Sequence, residues 1–140
     1  MVRVVLDTSV IVAAWRSRTG ASSALLQELP GGRFEIAVSV PLVLEYEAVL
    51  LRHVSIGGRS QQDVANLVDY LCAVATKQEI FFLWRPFLRD PNDDMLVELA
   101  VAAQCSGIVT HNVRDFAGVE RLGLRVFAPA DVLTRIGGTR

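Results

Sequence analysis

Two cysteines, two histidines and a single lysine, Lys77, are all that 140 residues hold of those types, and each scarcity closes off a class of function. Cys72 and Cys105 lie in apolar helical contexts without metal-ligand spacing, which predicts buried free thiols rather than a bridge. His53 and His111 are isolated and complete no zinc set, so a surface or loop position is expected for each. No apolar run is long enough to span a membrane, and the first residues lack the basic-then-apolar layout of a signal peptide. A soluble, cytoplasmic protein with no membrane partner is expected. Excess charge is missing too: 14 basic against 15 acidic residues leave a net charge of −1, which argues against a broad basic face for indiscriminate DNA binding. Nor is there a glycine-rich phosphate loop, a Ser-His-Asp set or a Cys-His pair.

What the chain does have is apolar residues, 51% of the total. At this length they suffice for one domain over residues 1–140, with a core that needs no metal or disulfide staple. The surplus suggests that some apolar surface is covered by a second copy or by a partner, so a homodimer or a complex is expected.

The organising stretch is Val2-Arg3-Val4-Val5-Leu6-Asp7-Thr8-Ser9. An apolar run ends on a carboxylate and two hydroxyls, and a new apolar segment starts at Val10. This reads as the first strand of a buried parallel sheet with Asp7 at its carboxyl end, the edge where open α/β sheets bind ligands. The plain alternative is that Asp7, Thr8 or Ser9 caps the next helix.

Short helices are predicted over Val10 to Trp15 and Ser22 to Leu29, then a strand over Phe34 to Val38. Ser39 and Pro41 supply the cap and first-turn proline of a helix running to about Arg52. At about 100° per residue Leu42, Tyr46, Val49 and Leu50 share its apolar stripe. Glu45 lies on the margin of that stripe and Glu47 points further away. An acid beside an apolar face must be paired, metal-bound or near a water-filled cleft, which singles out Glu45, with Glu47 as the fallback.

Ser60 and Asp63 suggest an imperfect capping box for a helix to about Ala75, and Glu79 to Trp84 is predicted as a strand near the sheet edge. Arg89-Asp90-Pro91-Asn92-Asp93-Asp94 is the densest acidic cluster. Acids at a helix start offset the dipole, but one would suffice. The helical wheel turns Asp93 toward Leu96 and Ala100, and Asp94 toward Val97, Glu98 and Val101; Asp93 is taken as the inward acid and Asp94 as its alternative. Gly107 to Thr110 reads as a buried strand whose tip delivers Thr110, His111, Asn112 and then Asp115, itself open to a plain turn role. A strand over Gly123 to Phe127 and a helix over Pro129 to Ile136 close the chain.

Strands alternating with helices predict an α/β fold, a three-layer α/β/α sandwich with a mainly parallel central sheet. If the first and fourth strand tips are neighbours, Asp7, Glu45, Asp93 and Asp115 can converge. Clustered carboxylates repel, and a bound cation is one remedy. Oxygen ligands without Cys or His favour Mg²⁺ or Mn²⁺. Such a site suits in-line attack of an activated water on a phosphodiester. An aspartyl-phosphate phosphatase of the HAD type would carry a second Asp two residues after the first, where Ser9 stands.

These residues also carry a resemblance. Val5 to Val10, Ser39 through Glu45 to Leu50, Arg89 to Asp94 and Val109-Thr110-His111-Asn112-Val113-Arg114-Asp115-Phe116 resemble, in order and across nearly the whole chain, the PIN-domain ribonucleases. The branch they resemble most is the VapC-type toxins of toxin-antitoxin systems. The resemblance implies a PIN-like fold and a Mg²⁺- or Mn²⁺-dependent endoribonuclease acting on an RNA substrate and neutralised by a cognate antitoxin. It makes Asp7 and Asp93 metal-binding acids and Glu45 the helix glutamate that completes the site. Many relatives have Asp where this chain has Asn112, a neutral ligand at best, and Asp115 matches a frequently acidic position that can supply the missing charge. The working assignment is therefore Asp7, Glu45, Asp93 and Asp115 as catalytic acids, with Asp7, Asp93 and Asp115 on the metal. Thr8, Ser9, Thr110 and Asn112 then orient ligands or phosphate. The alternatives are a non-catalytic PIN-like module that binds RNA or protein without cutting, and a small phosphatase or receiver domain phosphorylated at Asp7.

Overall fold

The computed structural model describes residues 2–80, 88 and 91–137. Five parallel strands form the sheet: β1 (Val2–Leu6), β2 (Phe34–Val38), β3 (Thr76–Lys77), β4 (Gly107–Val109) and β5 (Arg125–Phe127), in the order β3-β2-β1-β4-β5. The expected α/β architecture with a parallel sheet is what the protein adopts. Val4, Val5 and Leu6 are completely buried, as a central parallel strand covered on both faces requires. β1 registers Val4 with Ile36 on one side and with Gly107 on the other. Arg3, the one charge in β1, stands opposite Glu35 and donates to it at 2.9 Å through Nε, while its Nη1 donates to the Ala103 carbonyl.

Helices α1 (Thr8–Arg16) and α2 (Ala21–Gln27) connect β1 to β2; α3 (Val40–Arg52) and α4 (Gln61–Val74) connect β2 to β3; α5 (Pro91–Ala102) precedes β4 and α6 (Pro129–Arg135) follows β5. The chain builds outward from β1 through β2 to β3, then returns to the opposite side of β1 to form β4. With right-handed crossovers this reversal puts the switch of direction between β1 and β4. Among the described residues no helix is long and apolar enough to cross a membrane.

Local signals read from the sequence act as expected. Ser39 Oγ accepts the Leu42 amide, and Ser60 with Asp63 forms a reciprocal capping box. Gly107 is fixed by close approach rather than by a turn, since a Cβ there would lie 2.1 Å from the Arg125 carbonyl oxygen on β5.

The third strand lies ahead of the stretch that the sequence singles out. It was predicted at Glu79 to Trp84, but β3 is Thr76–Lys77; Glu79 and Ile80 lie beyond it, and residues 81–84 fall outside the described residues. Its position follows from its neighbour. β2 ends at Val38, so pairing stops at Ala37 with Thr76 and Val38 with Lys77, closed by the Gln78 amide on the Val38 carbonyl at 2.9 Å. The final strand is also shorter than predicted, because Gly123 at φ 80° still belongs to the turn that ends the short helix Val119–Leu122.

Candidate functional site

Asp7 follows the last residue of β1 and occupies the cap position of α1, yet its carboxylate accepts no helix amide. The capping explanation is excluded by that geometry. The carboxylate instead receives two hydroxyls on the same oxygen: Thr110 Oγ1 donates to Oδ2 at 2.7 Å and Ser9 Oγ donates to Oδ2 at 2.9 Å. Among the described residues Oδ1 takes no donor and no buried polar side-chain atom lacks a partner, so Oδ1 reaches solvent. Asp7 as a whole is only 8% exposed. One oxygen is anchored and the other faces outward.

The anchors come from the other side of the switch point. The Asp7 amide donates to the Val109 carbonyl at 2.8 Å, and the Thr110 amide donates to the Phe127 carbonyl at 2.9 Å. Sheet pairing therefore sets the tips of β1 and β4 side by side, and Thr110 is fully buried between them. Thr110 Oγ1 also accepts the Asn112 amide at 2.9 Å, and Ser9 Oγ accepts the His111 amide at 3.2 Å. A further 2.7 Å hydrogen bond joins His111 Nε2 to Ser22 Oγ on α2.

Glu45 approaches from α3. Thr8 Oγ1 donates to Glu45 Oε2, and one residue later Tyr46, fully within the core, donates through its hydroxyl to the Leu6 carbonyl. Burial pushes the Tyr46 hydroxyl well above its ordinary pKa, and the charges of Asp7 and then Glu45 push it further. Both carboxylates thus lie within electrostatic reach of one phenol, a meeting of residues from β1 and α3 around Tyr46. Glu47, the fallback acid, is exposed.

At α5 the structure reverses the wheel. Asp94 is the buried acid, 9% exposed, and its Oδ1 accepts the Leu88 amide at 2.7 Å, while Asp93 is half-buried. Asp115 is exposed in the short helix Val113–Phe116, with its amide on the Asn112 carbonyl at 3.0 Å. Among the described residues no three His, Cys, Asp or Glu side chains lie together closely enough to hold a metal ion. Asp7 and Glu45 both act electrostatically on Tyr46, and no three of the four expected acids form a metal-holding group among the described residues. Arg89 and Asp90 of the acidic stretch lie outside the described residues.

Two acids still fit a hard cation, because Mg²⁺ is commonly bound by one or two carboxylates and keeps waters and substrate phosphate in its other positions. The outward Oδ1 of Asp7 and the Glu45 carboxylate are donors of that kind.

Two features escaped the sequence reading. Tyr46 looked like an ordinary member of an apolar stripe, and Glu98, one turn after Asp94, is buried; the four-residue spacing of the two acids on α5 was the available signal. Beside Thr8 and Ser9 an open cleft of about 610 Å³ extends past Arg16, His53, His111 and Asn112.

A family profile described as a PIN domain matches residues 3–114. Among solved structures, the crystal structure of VapBC2 from Rickettsia felis bound to a DNA fragment from their promoter contains a similar chain. The TM-score is 0.58 at 16% identity, covering 91% of this chain and 98% of that one. That likeness is one of fold. No curated protein sequence matches.

Proposed function

This chain belongs to the PIN domain family, and from that premise we propose that it is a metal-dependent endoribonuclease, the toxin member of a VapBC-like pair. The observation that carries the reading is Asp7. A carboxylate at the topological switch point serves no helix cap, is clamped on one oxygen by Thr110 and Ser9, and presents the other to solvent with Glu45 nearby.

In this reading Asp7 and Asp93 hold Mg²⁺ or Mn²⁺, and Asp115 adds negative charge at the mouth of the site. The cation supplies Lewis-acid stabilisation of the charge that develops on the phosphoryl oxygens. Glu45 orients the attacking water and accepts its proton, while Thr8, by donating to Oε2, fixes which face of that carboxylate is free. Thr110 and Ser9 hold Asp7 in one rotamer, so the acid needs no rearrangement when substrate arrives. Asn112 and the backbone around it place the substrate phosphate.

The similar structure is a VapBC2 complex, which supports an antitoxin as partner. Val40, Leu44 and Leu51 on α3, with Tyr70 and Val74 on α4, are exposed apolar side chains and suit a covered face, in a homodimer or beneath an antitoxin segment. The reading takes the chain as one domain, most of which the PIN profile spans, acting in the cytoplasm.

The test is cleavage of single-stranded RNA with Mn²⁺ and with EDTA by the wild type and by Asp7→Asn and Asp93→Asn. Metal-dependent cleavage lost at least 100-fold in each variant is expected; cleavage that survives both changes ends the proposal. One observation favours the second reading, a binding module that does not cut: no three acids gather among the described residues. Titration calorimetry with Mn²⁺ separates the two, since that reading predicts no uptake dependent on Asp7.

A further inference from the structure

We propose that the cleft beside Thr8 and Ser9 is a nucleotide subsite, with Arg16 gripping a backbone phosphate and the His53 ring supporting a base of single-stranded RNA. The inference rests on the nuclease reading for its orientation, but its own evidence is the cleft. Among the described residues no acid lines it, although the chain carries 15 acidic residues. The groups that do line it are a guanidinium, two imidazoles, hydroxyls and an apolar floor of Val12, Ala13 and Val49. A polyanion approaching Asp7 and Glu45 meets repulsion, and positive charge beside those acids offsets it.

Helix α1 sets the spacing. Thr8, Val12 and Arg16 follow one another at four-residue intervals on one stripe, so Arg16 lies about 12 Å along the helix from Thr8. That distance suits a phosphate beyond the one under attack. Arg16 ends α1 and offsets its dipole, a role that any basic residue could fill. A planar fork facing an acid-free cleft can do more, since guanidinium groups bind phosphate bidentately. Among the described residues Arg16 forms no ion pair.

His53 is held still. Its Nδ1 donates to the Val49 carbonyl at 2.9 Å, and its own carbonyl accepts the Trp15 indole N–H at 3.0 Å. Trp15 is buried and in turn carries the Arg59 guanidinium at 4.5 Å from its ring centroid. A fixed aromatic ring in a cleft that also offers apolar side chains and a guanidinium has the components with which proteins hold one unpaired nucleotide. A duplex would present no free base face there.

The experiment measures binding of a fluorescent single-stranded RNA oligonucleotide by anisotropy over a range of salt, in EDTA and in Ca²⁺. The proteins are the wild type, Arg16→Gln, His53→Ala and the control Arg125→Gln, which removes an exposed arginine from β5. Arg16→Gln is expected to weaken binding several-fold and to reduce the slope of log K against log salt by about 0.7. His53→Ala is expected to weaken binding roughly tenfold with the slope unchanged. Arg125→Gln should match the wild type. This pattern supports the subsite whether or not Mn²⁺ elicits cleavage, so it stands apart from the nuclease test. Wild-type affinity and slope in both cleft variants, equal losses in the control, or no RNA binding by the wild type in either buffer overturns it.

Discussion

Thr110 Oγ1 donates to Asp7 Oδ2 at 2.7 Å, joining the tips of two adjacent parallel strands across 103 residues of sequence. The hydroxyl is fully buried and accepts the Asn112 amide as well. One small side chain therefore orients the acid and the loop that follows β4, and both are set as soon as β1 and β4 pair.

Thr110→Val keeps the shape and removes the hydroxyl. It takes one of the two donors from Asp7 Oδ2, which keeps Ser9, and leaves the Asn112 amide without its acceptor, so a loss of about 2 kcal/mol is expected. Urea denaturation should show it as a lower midpoint at unchanged slope, and Thr110→Ser should recover most of it. RNA cleavage should fall in Thr110→Val more than in Thr110→Ser, because the acid loses its fixed rotamer.

Tyr46 gives a pH dependence with a definite sign. Burial, then the charges of Asp7 and Glu45, raise its folded pKa well above 10.0. The folded protein keeps the phenolic proton where the unfolded chain has lost it. Stability on this account is whole below the unfolded value near 10 and falls as pH rises beyond it. Chemical denaturation at several alkaline pH values should show the decline, and Tyr46→Phe should flatten it. Tyrosinate absorbance from Tyr46 should appear only as the protein unfolds.

Cys105 offers a second alkaline probe. Burial pushes its thiol up to about 11, with Arg3 opposing the shift and Glu35 adding to it. A buried, protonated thiol is a poor nucleophile. Alkylation of the native protein near neutral pH should label Cys72, which is half-buried, and leave Cys105 untouched; both should react after unfolding, as counted by intact mass.

Gly107→Ala tests the close approach of β4 and β5. The new Cβ would meet the Arg125 carbonyl oxygen at 2.1 Å, with Phe127 also within contact. Backbone cannot yield as a flexible side chain can, so a loss of about 3 kcal/mol or more is expected. Because Phe127 carries the carbonyl that pairs with Thr110, the surroundings of Asp7 should suffer along with the sheet. Thermal unfolding and soluble yield measure the effect.

The strand tips were readable because a parallel strand buried on both faces is nearly all apolar and stops where polarity returns. Leu6-Asp7 and Val109-Thr110 are such stops, and the fold sets them side by side. Helix phase was readable on α3, whose stripe of Leu42, Tyr46 and Leu50 is buried beside exposed Leu44 and Glu47. It was not readable on α5, where Asp94, Leu96, Val97, Glu98, Leu99 and Ala100 are all buried. A helix buried around most of its circumference has no apolar side to give the wheel a direction, which is why Asp93 rather than Asp94 looked inward. The strand Thr76–Lys77 carries no apolar signal of its own, and its place is dictated by the end of β2. The partnership of Tyr46 with two carboxylates was hidden for a different reason: periodicity counts a tyrosine as apolar and says nothing of where its hydroxyl goes.

Asn112 sets the last prediction. Its amide is fixed on Thr110 Oγ1, its carbonyl accepts the Asp115 amide, and its side chain is exposed with no hydrogen bond among the described residues. Replacing it with Asp therefore adds one negative charge at the lip of the site without breaking a contact. If the cation is held there by too few carboxylates, Asn112→Asp should strengthen Mn²⁺ binding by about tenfold, equivalent to ~1.4 kcal/mol of added interaction, and raise cleavage at limiting metal. At saturating metal the gain should vanish, since only occupancy has changed. Asp115→Asn makes the converse test: if Asp115 supplies the charge that Asn112 lacks, its removal should weaken Mn²⁺ binding by a similar factor, and Asn112→Asp should restore it in the double variant. Recovery in the double variant would show the two positions sharing one electrostatic task. Calorimetric Mn²⁺ titrations unmoved by either change would instead place Asp115 and Asn112 outside the metal's reach, with Asp7 and Asp93 left as its holders.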